Sequence, residues 1–191
     1  LQEIADAFRQ RKDPDTALRL YQAALDISPS DLWPRVCMGE LQYSLGNTAA
    51  AKDAYRQVLS VAPESPHTAA LLQELMDKTD PPGTAEAFWT ALLETRPEAV
   101  IPRLYLGRVL EQADRGAEAR SAYGKVLELS PDSAEAGFRL AALDILNGKV
   151  DSGLEAIRGV ATKDPSLTND ISKRLQEIAD AFRQRKDPDT A

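Results

Sequence analysis

The sequence predicts an all-α solenoid of stacked helix-turn-helix pairs, and three observations predict it. Proline recurs every 34 residues, at Pro29, Pro63, Pro97, Pro131 and Pro165. Eight residues before each proline stands a large apolar side chain: Tyr21, Tyr55, Trp89, Tyr123 and Ile157. Twelve residues before it stands a small one: Ala17, Ala51, Ala85, Ala119 and Gly153. A fixed period of this length marks an architecture whose units bury their apolar faces only against their neighbours.

The second helix of each repeat comes from those anchors. With Ala24, Val58, Leu92, Val126 and Val160 they make a small, a large and a further apolar residue, spaced four and then three apart on one helical face. The spacing predicts helices near 14–28, 48–61, 83–95, 117–129 and 150–163. The proline ends each one, because it disfavours helical geometry in the residue before it and has no N–H to donate. An earlier helix shows where a large apolar residue precedes a tiny one, at Ile4-Ala5, Met38-Gly39, Leu106-Gly107 and Leu140-Ala141. The tiny residue lets two helix backbones approach. These first helices are expected near 1–11, 32–45, 66–78, 100–113, 134–146 and 170–186. Turn and cap residues divide the pairs at Asp13-Pro14-Asp15, Gly46-Asn47-Thr48, Asp114-Arg115-Gly116 and Asn147-Gly148-Lys149. The chain is thus expected to be one array over 1–191, with repeats 1–31, 32–65, 66–99, 100–133 and 134–167 and a partial one at 172–191.

In this pattern the sequence resembles the tetratricopeptide-repeat (TPR) family, whose signature is a large residue, a leucine, a small residue, an aromatic, then Ala, aromatic, Ala and Pro. Leu1, Ile4, Ala5, Phe8, Ala17, Tyr21, Ala24 and Pro29 fill all eight positions, and the second, fourth and fifth copies fill most. The third copy departs: Gln73 stands where the small residue belongs, and Asp80-Pro81-Pro82-Gly83 replaces a simple turn. That helix pair is expected to be splayed or shifted, because a long side chain overpacks a close contact. The resemblance implies a right-handed superhelix whose first helices line a concave groove.

Groove positions implied by the family fold carry two features. Asp6, Glu40 and Glu74 occupy one position of three successive repeats and would form an acidic stripe, broken in the fourth by Arg108. Apolar groups recur there at Trp33, Val36, Tyr43, Ile101, Leu104, Phe138 and Ile145, either as anchors for a partner or as extra core folded over the next helix. One TPR subclass grips chaperone tails with basic residues, but those positions hold Gln2, Asp6, His67 and Leu71, which argues against that type.

The chemistry of catalysis has little to draw on. There is no glycine-rich phosphate loop, no Cys-x-x-Cys and no His-x-x-x-His pair. His67 reads as an exposed residue at a helix start, and Cys37 as a small buried hydrophobe. No enzyme activity, metal or cofactor is expected. A net charge of -7 with no broad basic surface argues against nucleic acid, and no apolar run reaches the roughly 20 residues that span a bilayer. One cysteine leaves cytosol and cell envelope equally open. The start, Leu1-Gln2-Glu3, has no initiator Met or signal-peptide pattern and reads as an excision point.

The expected function is a protein-protein interaction scaffold that takes a peptide or partner protein with basic and apolar side chains in its groove. Two alternatives stay open: a structural spacer or self-assembling solenoid, and a regulatory or interaction domain excised from a larger enzyme or secretion protein. Residues 175–191 repeat residues 1–17 without a change, at an offset of 174, four more than five 34-residue periods. The extra four residues fall around Ser166–Asp170. A tandem duplication, a chain cut to wrap around such a unit, and an appended capping helix each account for the repeat. Head-to-tail self-association is expected from it.

Overall fold

A computed structural model describes Glu3, Ala5, Ala7 and Phe8, and residues 13–163 and 165–186. Glu3, Ala5, Ala7 and Phe8 are helical. Ten α-helices follow among the described residues, with no strand: α1 Pro14–Ile27, α2 Trp33–Ser44, α3 Thr48–Val61, α4 Pro66–Thr79, α5 Thr84–Thr95, α6 Val100–Gln112, α7 Gly116–Leu129, α8 Ala134–Leu146, α9 Val150–Lys163 and α10 Thr168–Lys186. A short 3₁₀ turn, Pro165–Leu167, leads into α10 and takes up part of the four-residue insertion.

Local chemistry sets the helix starts. Asp13 accepts the Thr16 N–H at 3.2 Å, with Pro14 pre-set at the first helical position of α1. Ser133 caps α8 through the Ala136 N–H at 3.4 Å. The start of α6 is capped from two repeats earlier: the Glu64 carboxylate accepts the N–H groups of Val100 at 2.6 Å and Ile101 at 3.1 Å. An anion there meets both the unpaired N–H groups and the positive end of the helix. After α2 and α8 the chain turns through the left-handed region at Gly46 and Gly148, but after α6 Asp114 takes that conformation, with φ 58°.

The helices fall into two compact units, Leu1–Tyr105 and Leu106–Ala191. In the first, α2 and α3 form a tight antiparallel pair, while α1 packs on α2 and α3 on α4, so each second helix also serves the next repeat. The second unit repeats the plan, with α8 and α9 tightly paired, α7 against α8, and α10 against α8 and α9. The small residues decide these distances. A Cβ at Gly39 would lie 2.9 Å from Tyr55 Cδ1, and one at Gly107 2.8 Å from Tyr123 Cδ1, inside the van der Waals limit. Only glycine lets those buried rings lie flat on the first helix.

The third repeat solves the same contact differently. Gln73 is buried, 4% exposed, and its Oε1 accepts the indole N–H of fully buried Trp89 at 2.6 Å, while its Nε2 donates to Asp77 at 2.6 Å. Here α4 and α5 touch far less closely than the α2–α3 or α8–α9 pairs, as the large Gln73 predicts. The long side chain does not overpack. It spans a wider gap and satisfies an indole that tyrosine elsewhere would not present. Tyr105 stacks on Trp89, with centroids 5.1 Å apart. The unusual Asp80-Pro81-Pro82-Gly83 connection is pinned from α3, where Lys52 bonds to Asp80 and to Thr79 Oγ1, and Arg56 lies over the Phe88 ring. The Lys52 ammonium holds the Asp80 carboxyl below its ordinary value.

Candidate functional site

In the first unit the exposed flanks of α2 and α4 lie side by side. Trp33 opens α2 and Tyr43 lies near its end, and both large rings stay open to solvent, 47% and 39% exposed. Pro66 starts α4 and places His67 in its first turn, so that the imidazole stands 6.4 Å from the Trp33 ring and its Nε2 lies 3.2 Å from Glu40 Oε1. One full helical stretch further along, Lys78 reaches back to Glu74 in its own helix and across to Tyr43, donating to the phenol oxygen at 3.4 Å. The hydrogen bond to Glu74 first, then that to Tyr43, raises the Lys78 pKa. The face therefore carries two rungs, Trp33–His67–Glu40 and Tyr43–Lys78–Glu74, each made of one aromatic, one nitrogen base and one carboxylate.

Of the expected acidic stripe, Glu40 and Glu74 each have a nitrogen partner from within the array. Asp6 lies outside the described residues.

The second unit forms a cleft of about 650 Å³ between the first helices of three successive repeats, α6, α8 and α10. Phe138 lies at its wall, 7% exposed, with its ring in the cluster of Ala141, Ala142, Ile145, Ile157, Ile171 and Ile178. Above it Glu111 is a hub. Its side chain, 9% exposed, accepts from Tyr123 OH at 2.9 Å, from Arg139 at 3.2 Å and from Arg174 of α10. Burial foremost, then the Glu111 carboxylate beside it, pushes the Tyr123 phenol well above its ordinary value, so it stays a donor. Arg139 also bonds Glu135 at 2.9 Å, and Arg108 approaches Glu135 at 3.9 Å. Lys173 adds a further cation to the lining.

The expected groove residues thus divide. Trp33 and Tyr43 are exposed, Glu40 and Arg108 are half-buried beside ion partners, Glu74 is exposed, and Ile101 is half-buried. Val36, Leu104 and Ile145 are corrected: all three are buried core side chains, Ile145 close enough to Gly153 that a Cβ there would meet it at 2.5 Å. Phe138 also belongs chiefly to the core. Cys37 is buried, as its neighbours suggest. Sequence reasoning passed over Lys78, Arg139, Glu111, Lys173 and Arg174. Four-residue spacing from Glu74 and Glu135 points to the first two, whereas the Glu111–Arg174 pair, 63 residues apart, leaves no mark in the sequence.

Among the described residues no cluster of three or more His, Cys, Asp or Glu is placed to hold a metal, and no helix is long and apolar enough to cross a membrane. Family models described as tetratricopeptide repeat match residues 8–75 and 69–134. No curated protein matches the sequence. Among solved structures, TTC0263, a thermophilic TPR protein in Thermus thermophilus, is 18% identical and covers 93% of this chain and 96% of its own, with TM-score 0.58. A MamA segment from Desulfovibrio magneticus RS-1 is 18% identical over 87% of this chain and 94% of its own, with TM-score 0.56. YrrB, described as a TPR protein with an unusual peptide-binding site, is 18% identical over 92% and 90%, with TM-score 0.56. At these identities the likeness is one of fold.

Proposed function

Because this chain belongs to the tetratricopeptide-repeat family, we propose that it is a protein-protein interaction scaffold and that a partner segment lies along the exposed flanks of α2 and α4. The exposure of Trp33 and Tyr43 carries this reading. Two large aromatics held open at the two ends of one helix are costly to leave in water, and aromatic side chains are the usual energetic anchors of interfaces. The carboxylates beside them give the partner its polar character. Glu40 and Glu74 hold nitrogen bases in exposed pairs, which are weak. A lysine or arginine of the partner can replace those bases while its apolar side chains cover the rings. The partner is therefore an extended or helical segment with apolar and basic side chains in alternation. The role is binding and not catalysis.

A peptide library selected on the intact chain tests this. Selected peptides are expected to be enriched in basic and apolar residues, and Trp33→Ala with Tyr43→Ala should weaken them by about tenfold or more. Val150→Ala, at an exposed position on α9 of the second unit, should leave them unchanged. Equal affinity for the double variant sinks the assignment, and failure to select any peptide favours the spacer. Phe138→Ala is a poor probe, because removing a core ring lowers stability by about 3–5 kcal/mol whatever the groove binds.

A further inference from the structure

The two rungs of the α2–α4 face are built alike but filled differently. In the second rung the chain supplies its own cation: Lys78 Nζ lies 6.0 Å from the centre of the Tyr43 ring and bonds to Glu74 in its own helix. The first rung also pairs an aromatic ring with a carboxylate, but an imidazole stands where the cation would be. His67 Nε2 lies 3.2 Å from Glu40 Oε1, and the His67 ring centre is 6.4 Å from that of Trp33, with the two planes 31° apart. The backbones beneath both rings are held in place. Trp33 N–H donates to Asp31 at 3.1 Å, while Pro66 opens α4 one residue before His67 and the hydroxyls of Ser65 and Thr68 bond across that first turn at 2.8 Å. Asp31 also sets a negative charge at the positive end of α2, which a cation at Trp33 would otherwise face.

Two flat rings this close, beside a carboxylate, match a flat cation. A charge is attracted by an aromatic face when it lies within about 6 Å of the ring centre. With centres 6.4 Å apart, one group placed over the midpoint meets that condition for both rings. A guanidinium is planar, so it stacks on aromatic faces while its N–H groups point outward in its own plane to a carboxylate. An ammonium is a compact, strongly hydrated charge with no face to stack. Given a partner along α2 and α4, on which this step rests, we propose that the Trp33–His67–Glu40 rung is an arginine subsite. The guanidinium covers the Trp33 and His67 rings and takes the Glu40 bond that the imidazole makes in the free chain. Arginine is thereby selected over lysine at this rung, whereas the Tyr43 rung, already filled by Lys78, adds no such preference.

The experiment is an NMR titration of the full chain with the peptide acetyl-Leu-Ala-Arg-Ala-Leu-amide and two analogues that carry lysine or citrulline at the centre. His67 is the single histidine, so its ring protons report on this rung directly. The arginine peptide is expected to move the His67 ring and Trp33 indole signals together and to bind about fivefold or more tightly than the lysine peptide. Citrulline keeps the flat shape without the charge, and its peptide should bind more weakly than that of arginine. The His67 side chain is 56% exposed, so its variants should keep the fold. His67→Ala should remove the preference for arginine over lysine, and His67→Phe, which restores a flat ring, should keep it. Equal binding of the arginine and lysine peptides, or a preference that survives His67→Ala, overturns the arginine subsite. If that equal binding is still weakened by Trp33→Ala with Tyr43→Ala, the α2–α4 face stands without it. Signals that stay unmoved with all three peptides overturn both.

Discussion

Replacing Gln73 by alanine separates pattern from packing, because the two predict opposite signs. The repeat pattern places a small residue at this position, so Gln73→Ala would restore the regular signature and stabilise. The structure predicts a loss. Trp89 is fully buried and its indole N–H donates to Gln73 Oε1 at 2.6 Å. Without the acceptor that N–H is left unpaired, at about 1–3 kcal/mol. The gap between α4 and α5 is set by the larger pair, so the four missing heavy atoms leave a void; one of about 50 Å³ costs about 1 kcal/mol. The better helix propensity of alanine returns roughly 0.4 kcal/mol. The net loss is about 2–3 kcal/mol, which lowers the melting temperature of a chain this size by roughly 5–10 °C. Thermal unfolding followed by circular dichroism measures it. A double-mutant cycle with Trp89→Phe should give a coupling of about 1 kcal/mol, since the second substitution removes the stranded donor. A Gln73→Ala chain that melts at or above the wild type refutes the reasoning, and so does additivity in the cycle.

Other perturbations follow from the same packing and charge arguments. Gly124 has open space where a Cβ would stand, so Gly124→Ala should stabilise by about 0.5–1 kcal/mol. Gly39→Ala presses into Tyr55, and overpacking of about 1–3 kcal/mol offsets or exceeds that gain; denaturant titrations giving both variants equal gains contradict the close approach. The Asp80 carboxyl is held below its ordinary value of 3.8 by Lys52, so its contribution is fully present above that pH and is lost as pH falls through the lower folded-state value. Asp80→Asn should flatten this acid limb of the stability curve, and an unchanged limb argues against the Lys52 contact. Glu111→Ala strands the Tyr123 hydroxyl and leaves Arg139 and Arg174 with only Glu135 and Glu177 as partners, and should cost about 1–3 kcal/mol, less than breaking a fully buried pair. A denaturation midpoint unchanged from wild type sets aside the hub.

The amino-acid sequence by itself determines the period, the helix order and the residues facing the core of each pair. Those follow from one helix at a time: Tyr21, Tyr55 and Tyr123 at fixed distances before proline state which face is apolar and where the helix stops. Expected and observed bounds of α1 to α10 accordingly differ by at most two residues. What lies between helices was decided only by tertiary structure. Val36, Leu104 and Ile145 have groove positions in the repeat register, yet neighbouring helices close over them. Glu40 and Glu74 look like free charges until His67 and Lys78 are seen beside them. Gln73 looks like a misfit until Trp89 is placed against it. Helical periodicity fixes the direction in which a side chain leaves its own axis, but burial and pairing depend on the width of the gap to the next helix, and that width is set by pairs of residues far apart in the chain.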